Sequence, residues 1–318
     1  MSVLVFVEID EKEVKKSSLE AISYGKALDG DVFAIGFGDI SEESITKIGK
    51  AGAKKLIHVK DVKLGTPNIM AYSSALAEAM DKHGCNIMVL AKSSLGDPVS
   101  ARVAIKTGSS VVSNVTELPE SGNEFIVDRS IYTGKAVAKT VVNGERKILA
   151  IKKNAVPVLE DGSAPEVIDF HPTLNDDDFK VKITKTEKTT GEVLLPEAEI
   201  VVSGGRGMGG PENWKILEDL AAILGAATGC SKPVSDMNWR PHHEHVGQTG
   251  IKVSPSLYIA VGISGAIQHL AGVNSSKYIL VINKDPEAPF FKAADFGIVG
   301  DAFEIVPKLT EAIKAKKD

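Results

Sequence analysis

The sequence predicts an α/β protein with two doubly wound (Rossmann-like or flavodoxin-like) domains, the first with an antiparallel β extension. Two observations support this fold class. Short, unbroken apolar runs alternate with helical patterns in both halves, which is typical of parallel strands covered on both faces. The alternation also restarts after residues 185–198, a polar stretch with Gly191 and Pro196 that is the best linker candidate. We therefore expect domains at 1–187 and 188–318.

The first half alternates strands and helices. The pattern Ser17-Ser18-Leu19-Glu20 predicts a capping box that opens the first helix. Apolar spacing predicts two more helices, through Ile45 and Ile48 and from Ile69 to Met80. The four predicted strands are Val3–Val7, Val32–Ile35, Leu56–Val59 and Asn86–Ala91.

From about residue 111 to 188 the chain instead has short β-type runs separated by Gly, Asn or Pro. These runs predict the antiparallel extension. They are Phe125–Val127, Ala136–Val142, Ile148–Ile151 and Val181–Thr184.

The second half repeats the α/β alternation. Pro211 suits the first turn of a helix that runs through Trp214, Leu217, Leu220 and Leu224. A last helix passes through Val306, Leu309 and Ile313. The predicted strands are Ile200–Val202, Leu257–Val261, Tyr278–Ile282 and Ile298–Val299.

Composition excludes several classes of protein. A hydrophobic content of 43% excludes a disordered chain, and a formal charge of −5 without a basic stripe argues against nucleic-acid binding. The two cysteines, Cys85 and Cys230, suit a reducing compartment. The N-terminus lacks a signal-peptide pattern, and Leu257–Val273 is interrupted too often to span a bilayer. We expect a cytoplasmic protein without direct membrane insertion.

Two glycine-rich loops follow predicted strands. Residues 205–210, GRGMGG, match GxGxxG and suit either a phosphate loop or a tight structural turn. The acidic residue that a dinucleotide fingerprint needs about 20 positions later is missing, and Cys230 and Ser231 stand there instead. Residues 262–266, GISGA, lack the second glycine of a nucleophile elbow, so Ser264 is interpreted as a helix N-cap.

Two other features favour structural interpretations. The group His242, His243 and His245 has the spacing of neither an HExxH helix nor a zinc finger, which favours a solvated loop over a metal site. Cys230 lacks a CxxC partner and is expected to be a small buried apolar residue.

Several segments together resemble the α subunit of the electron transfer flavoprotein family. Residues 257–272 (LYIAVGISGAIQHLAG) joined to 282–291 (INKDPEAPFF) carry most of the resemblance, and residues 131–136 (IYTGKA) match more loosely. The other matching segments are 202–207 (VSGGRG), 246–250 (VGQTG) and 295–301 (DFGIVGD).

The resemblance implies a heterodimer with a β subunit that holds AMP, with FAD on the C-terminal domain and no nucleotide on the first domain. It implies that Arg206 contacts FAD, that Ser231 and Lys232 lie near the flavin ring, and that Thr249 lies close to N5 and His269 near the C2 carbonyl. The remaining implied FAD-binding residues are Val246, Gly247, Gln248, Ser264, Gly265, Ala266, Ile267, Gln268, Asn283, Asp301 and Ala302.

One position departs from the family pattern. Position 232 is Lys where the family has Arg, which exchanges a planar cation for a compact, strongly hydrated one. The positive sign of the charge is kept, and with the hydrogen-bonding group of His269 it is expected to favour a negatively charged reduced flavin.

The resemblance implies an electron carrier and not an enzyme. It would take electrons from flavin dehydrogenases, typically acyl-CoA dehydrogenases, and pass them to a membrane quinone oxidoreductase. Three alternatives stay open: an electron-bifurcating assembly with a second FAD in the β subunit, a nicotinamide-dependent oxidoreductase, and a nucleotide-binding interaction module without redox activity.

Overall fold

The computed structural model describes residues 2–28, 30–120, 122, 124–134, 136–184, 194–196 and 198–317. The chain divides into two compact units, one of residues 1–132 and 136–186 and one of residues 133–135 and 187–318. Apart from residues 194–196 and 198, the predicted linker lies outside the described residues.

The first unit is built on a mostly parallel sheet. Its strands are β1 (Ser2–Phe6), β2 (Ile9–Asp10), β3 (Glu13–Val14), β4 (Asp31–Phe37), β5 (Lys55–Val59), β6 (Ile87–Ala91), β7 (Ser110–Val115), β8 (Ile126–Ile131), β9 (Ala136–Val141), β10 (Lys147–Ile151) and β11 (Glu166–Asp169). Its helices are α1 (Lys16–Ala27), α2 (Glu42–Lys50), α3 (Ile69–Lys82) and α4 (Gly96–Thr107). The nine-stranded sheet has the order β11-β5-β4-β1-β6-β10-β7-β8-β9, while β2 and β3 form a separate hairpin.

Both faces of this sheet are covered. On one face Leu4 and Phe6 of β1 pack in a buried cluster with side chains of α3 and α4. On the other face Val3 and Val5 pack with residues of α1 and α2. Two-sided burial explains why β1 is apolar at every position from Val3 to Phe6 rather than at alternate ones.

The antiparallel extension is confirmed, but its membership differs from the prediction. It consists of β8 and β9, which pair antiparallel with each other, and β8 also pairs antiparallel with β7. The assignment of Ile148–Ile151 to the extension was wrong, because β10 is a central strand that lies parallel between β6 and β7. The assignment of Val181–Thr184 to a strand was also wrong, since these residues have no regular secondary structure.

The predicted capping box at the start of α1 is not formed. The helix begins two residues earlier, with Lys15 rather than Ser17 at the N-cap and no side-chain cap. The hydroxyl of Ser18 instead accepts a hydrogen bond of 2.9 Å from the backbone N–H of Glu8. This hydroxyl therefore fixes the chain after β1 rather than the first turn of the helix.

The second unit contains a five-stranded, wholly parallel sheet in the order β13-β12-β14-β15-β16. Its strands are β12 (Ile200–Gly204), β13 (Ala227–Cys230), β14 (Leu257–Val261), β15 (Tyr278–Asn283) and β16 (Phe296–Val299). Its helices are α5 (Lys215–Leu224), α6 (Lys232–Asp236), α7 (Ile267–Val273) and α8 (Ala302–Lys317). Pro211 opens a separate 3-10 turn, Pro211–Asn213, and α5 starts after it.

The state of the two cysteines and the character of the helices complete the description of the fold. Cys85 and Cys230 are buried and form no disulfide. Burial, with a further contribution from Glu244, raises the pKa of the Cys230 thiol to about 12, so the thiol stays protonated. No helix among the described residues has the length and apolar character needed to cross a membrane.

The central place of β10 can be tested by substitution. Leu149 on β10 is fully buried, so Leu149→Ala should lower the free energy of unfolding by about 2–5 kcal/mol through lost burial and a residual cavity. The matched change Val137→Ala on β9, where the side chain is 61% exposed, should alter it by no more than about 0.5 kcal/mol. Urea denaturation followed by circular dichroism measures both values, and equal losses would contradict the observed strand order.

Candidate functional site

The strand order of the second unit fixes where a ligand can bind. From β12 the chain continues to β13 on one side, whereas β14 lies on the other side of β12 and is followed outward by β15 and β16. In a doubly wound sheet, ligands bind outside the carboxyl ends of the strands at the point where the order reverses. Here that point lies between β12 and β14, whose following loops are the two glycine-rich segments.

The two glycine-rich loops touch each other through their backbones. The N–H of Gly207 donates a hydrogen bond of 3.0 Å to the carbonyl oxygen of Gly262. A Cβ atom on Gly205 would lie 2.1 Å from the same oxygen, and one on Gly207 would lie 2.8 Å from it. Only glycine at these two positions permits this approach, so the contact explains the first two glycines of the GxGxxG match.

This contact bears on the two interpretations of residues 205–210. The N–H groups of Gly205, Gly207 and Gly209 donate to the carbonyls of Val261, Gly262 and Arg206, respectively, and so are not free for phosphate oxygens. These hydrogen bonds favour a structural turn over a phosphate loop. They also weaken the nicotinamide-dependent interpretation, which depended on this motif.

A cavity of about 660 Å³ opens at the same edge of the sheet. Its size falls within the range of about 300–1,000 Å³ that is usual for small-molecule and cofactor sites. The cavity is lined by residues that follow β12, β13, β14 and β15, together with the segment 245–249.

Most of the predicted FAD-binding residues lie in this lining. They are Arg206, Ser231, Lys232, Val246, Gly247, Gln248, Thr249, Ser264, Ala266, Gln268, His269 and Asn283. Positions more than 70 residues apart in the sequence are therefore brought to one place by the fold, while their individual roles stay predictions.

Four predicted residues lie outside the lining. Gly265 packs against Phe290, and Ile267 at the first position of α7 is 69% exposed. Asp301 accepts a hydrogen bond of 2.8 Å from the N–H of Phe303 at the start of α8. Ala302 is buried in an apolar cluster. Gly265, Asp301 and Ala302 therefore have contacts within the protein, and Ile267 is exposed to solvent.

The lining also contains residues that the sequence analysis did not assign to FAD binding. Asp236 lies four positions after Lys232 on α6, and a helical spacing of i,i+4 was the signal that could have found it. The others are Gly207, Pro233, His245, Gly262, Ile263, Asp285 and Ala288.

The start of α7 presents unpaired backbone donors. The prediction that Ser264 caps the helix was wrong, because the N-cap is Ala266 and no side chain caps it. The carbonyl of Ser264 accepts a hydrogen bond from the N–H of Phe290 at 3.1 Å. No acceptor within the described residues pairs with the N–H groups of Gly265, Ala266 or Ile267. Such donors suit a negatively charged or carbonyl group of a ligand.

Asn283 ties two of the loops together. Its side-chain Nδ2 donates to the carbonyl of Ile263 at 3.1 Å, and its Oδ1 accepts from the N–H of Asp285 at 3.1 Å. The side chain therefore fixes the loop after β15 against the loop after β14. Its predicted part in FAD binding stays a prediction.

Lys232 is not an isolated cation. Its Nζ lies 3.0 Å from both carboxylate oxygens of Asp236 on the same helix. Both side chains are more than half exposed, and both line the cavity. The positive charge expected near a bound ligand is therefore paired with a negative one.

His269 is a neutral polar group in the cavity wall. Its Nε2 lies 2.9 Å from the buried hydroxyl of Tyr258. Burial, reinforced by His245 and opposed by the Val246 backbone, lowers the pKa of His269 to about 4. The ring therefore carries no charge at neutral pH, and it can act only through hydrogen bonds.

Two buried polar atoms of the lining lack partners. The Oγ atom of Ser231 and the Nδ1 atom of His269 have no hydrogen-bond partner within the described residues, although each side chain is about 94% buried. Buried polar atoms are almost always paired, so these two are candidates for ligand contacts.

The neighbouring histidines do not form a metal centre. Among the described residues, no group of three or more His, Cys, Asp or Glu side chains is arranged to hold a metal ion. His242 and His243 are exposed, and Nδ1 of His242 lies 3.4 Å from the hydroxyl of Ser235.

Comparison with known proteins gives the family. Residues 3–174 match the family model "Electron transfer flavoprotein domain", and residues 194–274 match "Electron transfer flavoprotein FAD-binding domain". The chain belongs to the electron transfer flavoprotein α-subunit family. This result confirms the resemblance on which the site residues were predicted.

Relatives of the family align over nearly the whole chain. The electron transfer flavoprotein subunit alpha of Bacillus subtilis (strain 168) is 35% identical over 98% of this chain and 97% of its own length. The corresponding subunit of Syntrophomonas wolfei is 36% identical over 98% of each chain. That of Mycobacterium tuberculosis (strain H37Rv) is 36% identical over 99% of each.

The cavity fits the cofactor that the family model names. It combines the unpaired amide of Ala266 at the start of α7, the unpartnered polar atoms of Ser231 and His269, and an aliphatic wall that includes Val246 and Ile263. A flavin dinucleotide has matching parts, since it carries a largely flat ring system with polar edges and an anionic pyrophosphate.

Substitution of Gly265 tests the geometry of the loop after β14. The residue has φ of +85°, and a Cβ atom would lie 2.5 Å from backbone atoms of Phe290. We expect Gly265→Ala to cost about 1–2 kcal/mol from the left-handed backbone and about 1–3 kcal/mol more from overpacking. Gly225→Ala is the control, because Gly225 has φ of +63° but open space around it. Equal losses in urea denaturation would contradict the packing described here.

Burial of neutral His269 predicts a pH dependence. The pKa of an unfolded histidine is about 6.5, so the folded value of about 4 makes stability fully present above pH 6.5 and progressively lost as the pH falls toward 4. The group should contribute about 2 kcal/mol to the loss of unfolding free energy between pH 8 and pH 5.

Urea denaturation at the two pH values measures this contribution. His269→Gln should show a smaller loss on acidification than the wild type, whereas the matched change at exposed His243 should keep the wild-type loss. Identical pH dependence in all three proteins would show that His269 is not buried in its neutral form.

Proposed function

We propose that this chain is the α subunit of a heterodimeric, FAD-containing electron carrier, and that the cavity of the second unit holds the FAD. The observation that carries the proposal is the convergence of unpaired donors on this cavity. The amides at the start of α7 and the unpartnered atoms of Ser231 and His269 lie within the segment that matches the family's FAD-binding domain.

The residues of the cavity divide into two groups by what they offer. Bound flavin supplies the redox chemistry, because its ring accepts and releases electrons one or two at a time. Lys232, Ser231 and His269 offer a cation and neutral polar groups, which suit a ring that gains negative charge. The unpaired amide of Ala266 and the cation of Arg206 suit the anionic pyrophosphate.

The partners follow from the family and are part of the proposal. The chain pairs with a β subunit, which holds AMP, and the first unit binds no nucleotide of its own. Electrons arrive from flavin dehydrogenases, typically acyl-CoA dehydrogenases, and leave to a membrane quinone oxidoreductase. No substrate is transformed by the carrier itself.

Reconstitution of the heterodimer tests the proposal. The chain is co-expressed with a β subunit of the family, and the purified complex is examined by its visible spectrum and by a count of flavins released with acid. We expect one FAD per heterodimer, because the cavity between the loops after β12 and β14 is of a size to hold one. Two flavins would favour the electron-bifurcating alternative, and a colourless complex that cannot be loaded with FAD would contradict the proposal.

A bulky substitution in the cavity lining tests whether the flavin binds there. Thr249→Trp places an indole in the lining and should abolish retention of FAD without unfolding the protein. The control is Thr46→Trp, since Thr46 is exposed on α2 of the first unit. Undiminished flavin content in the Thr249 variant would place the cofactor elsewhere.

A further inference from the structure

The charge pair on α6 has a consequence for the chemistry of the cavity. Lys232 and Asp236 form a two-oxygen ion pair at 3.0 Å, and both line the cavity. A lone cation acts on a nearby ligand as a point charge. A cation with an adjacent anion acts as a dipole, whose influence is weaker and falls more steeply with distance.

The other charged groups of the lining do not restore a positive balance. Arg206 is the second cation, and Asp285 is the second carboxylate. His269 is neutral because of its burial, and burial together with His242 and Lys232 lowers the pKa of His245. At neutral pH the lining therefore holds two cations and two carboxylates.

We propose that Asp236 is a positioning residue and counter-charge that limits how strongly Lys232 stabilises negative charge on a ligand in this cavity. The inference rests on the proposed function in taking that ligand to be FAD. The carboxylate holds Nζ on the α6 wall and cancels part of its field. The potential at which bound FAD takes up its first electron is then set by the pair rather than by Lys232 alone.

A substitution can separate the effect of the negative charge of Asp236 from its effect on the position of Lys232. Asp236→Asn keeps an oxygen that accepts from Lys232 but removes the negative charge. With the lysine still held on the α6 wall by this oxygen, removal of the negative charge makes the local potential more positive. The expected shift therefore reports the charge of Asp236 and not a displacement of Lys232.

The experiment is a redox titration of the FAD-loaded heterodimer. D236N should favour uptake of the first electron about tenfold, which for one electron corresponds to about 59 mV toward more positive potential. K232Q should shift the potential in the opposite direction. The double variant K232Q/D236N removes one charge of each sign and should return close to the wild-type value.

A second Lys–Asp pair provides the matched control. Lys215 and Asp219 have the same i,i+4 spacing on α5 with 2.8 Å between Nζ and Oδ1. Neither residue lines the cavity. D219N makes the same chemical change in the same unit, so it should leave the flavin potential unchanged.

A measurement without FAD tests whether the charge of Asp236 affects other groups in the cavity wall. The carboxylate of Asp236 raises the pKa of His245, and Lys232 lowers it, although burial is the larger influence. In the heterodimer before loading with FAD, an NMR titration of His245 should show a lower pKa in D236N and a higher pKa in K232Q. D219N should not change it.

Each contrary outcome has a definite meaning. An unchanged potential in D236N with FAD bound would overturn the proposal, as would an equal shift in D219N. Loss of FAD from D236N alone would also overturn it, because it would make Asp236 a residue for binding rather than for tuning. Absence of FAD from the wild-type heterodimer would instead contradict the proposed function, and the His245 titration would then decide alone whether the charge of Asp236 reaches the cavity.

Discussion

The backbone contact between Gly207 and Gly262 is the constraint on which the second unit depends. It joins the loops that follow β12 and β14 at the point where the strand order reverses. With both loops drawn together, the segment after β14 is directed into the short helix α7 with unpaired amides at its start. The cavity therefore depends on a close approach that only glycine permits. This contact fixes the two loops, and the loops in turn fix the positions of the side chains that line the cavity.

Electrostatics in the cavity are more balanced than the residue types suggest. A lysine, an arginine and two histidines line the cavity, yet Asp236 neutralises the lysine locally and burial keeps His269 uncharged. Such a site can bind an anionic group through backbone amides while keeping a moderate charge where Lys232 and His269 lie. This arrangement suits a carrier, which must release an electron as readily as it accepts one.

The fold could be predicted where the residue pattern of a single strand or helix is enough to identify it. The strands β1, β4 and β14 are apolar at successive positions, and their burial on both faces follows directly from that pattern. The place of β10 could not be read in the same way, because its neighbours β6 and β7 are distant in sequence and the pairing is set by the tertiary fold. The alternation at Val181–Thr184 resembles a half-buried strand, but Val181 and Ile183 are largely exposed.

The candidate site, like the fold, could be predicted from local patterns only in part. The family segments located twelve of the lining residues, and the order of parallel strands brings them together at one edge. The ion pair between Lys232 and Asp236 is a property of helix geometry, and the lowered pKa of His269 is a property of burial, so neither is visible in a motif. The role of the GxGxxG glycines also became clear only from the carbonyl that their missing side chains leave room for.

The most direct measurement of the central claim is a crystal structure of the heterodimer grown with FAD. The account predicts flavin density in the cavity between the loops after β12 and β14, with ligand atoms in hydrogen-bond contact with the unpaired amides at the start of α7 and with Ser231 or His269. Flavin density at any other place on this chain, or a cavity that stays filled by its own side chains, would contradict it.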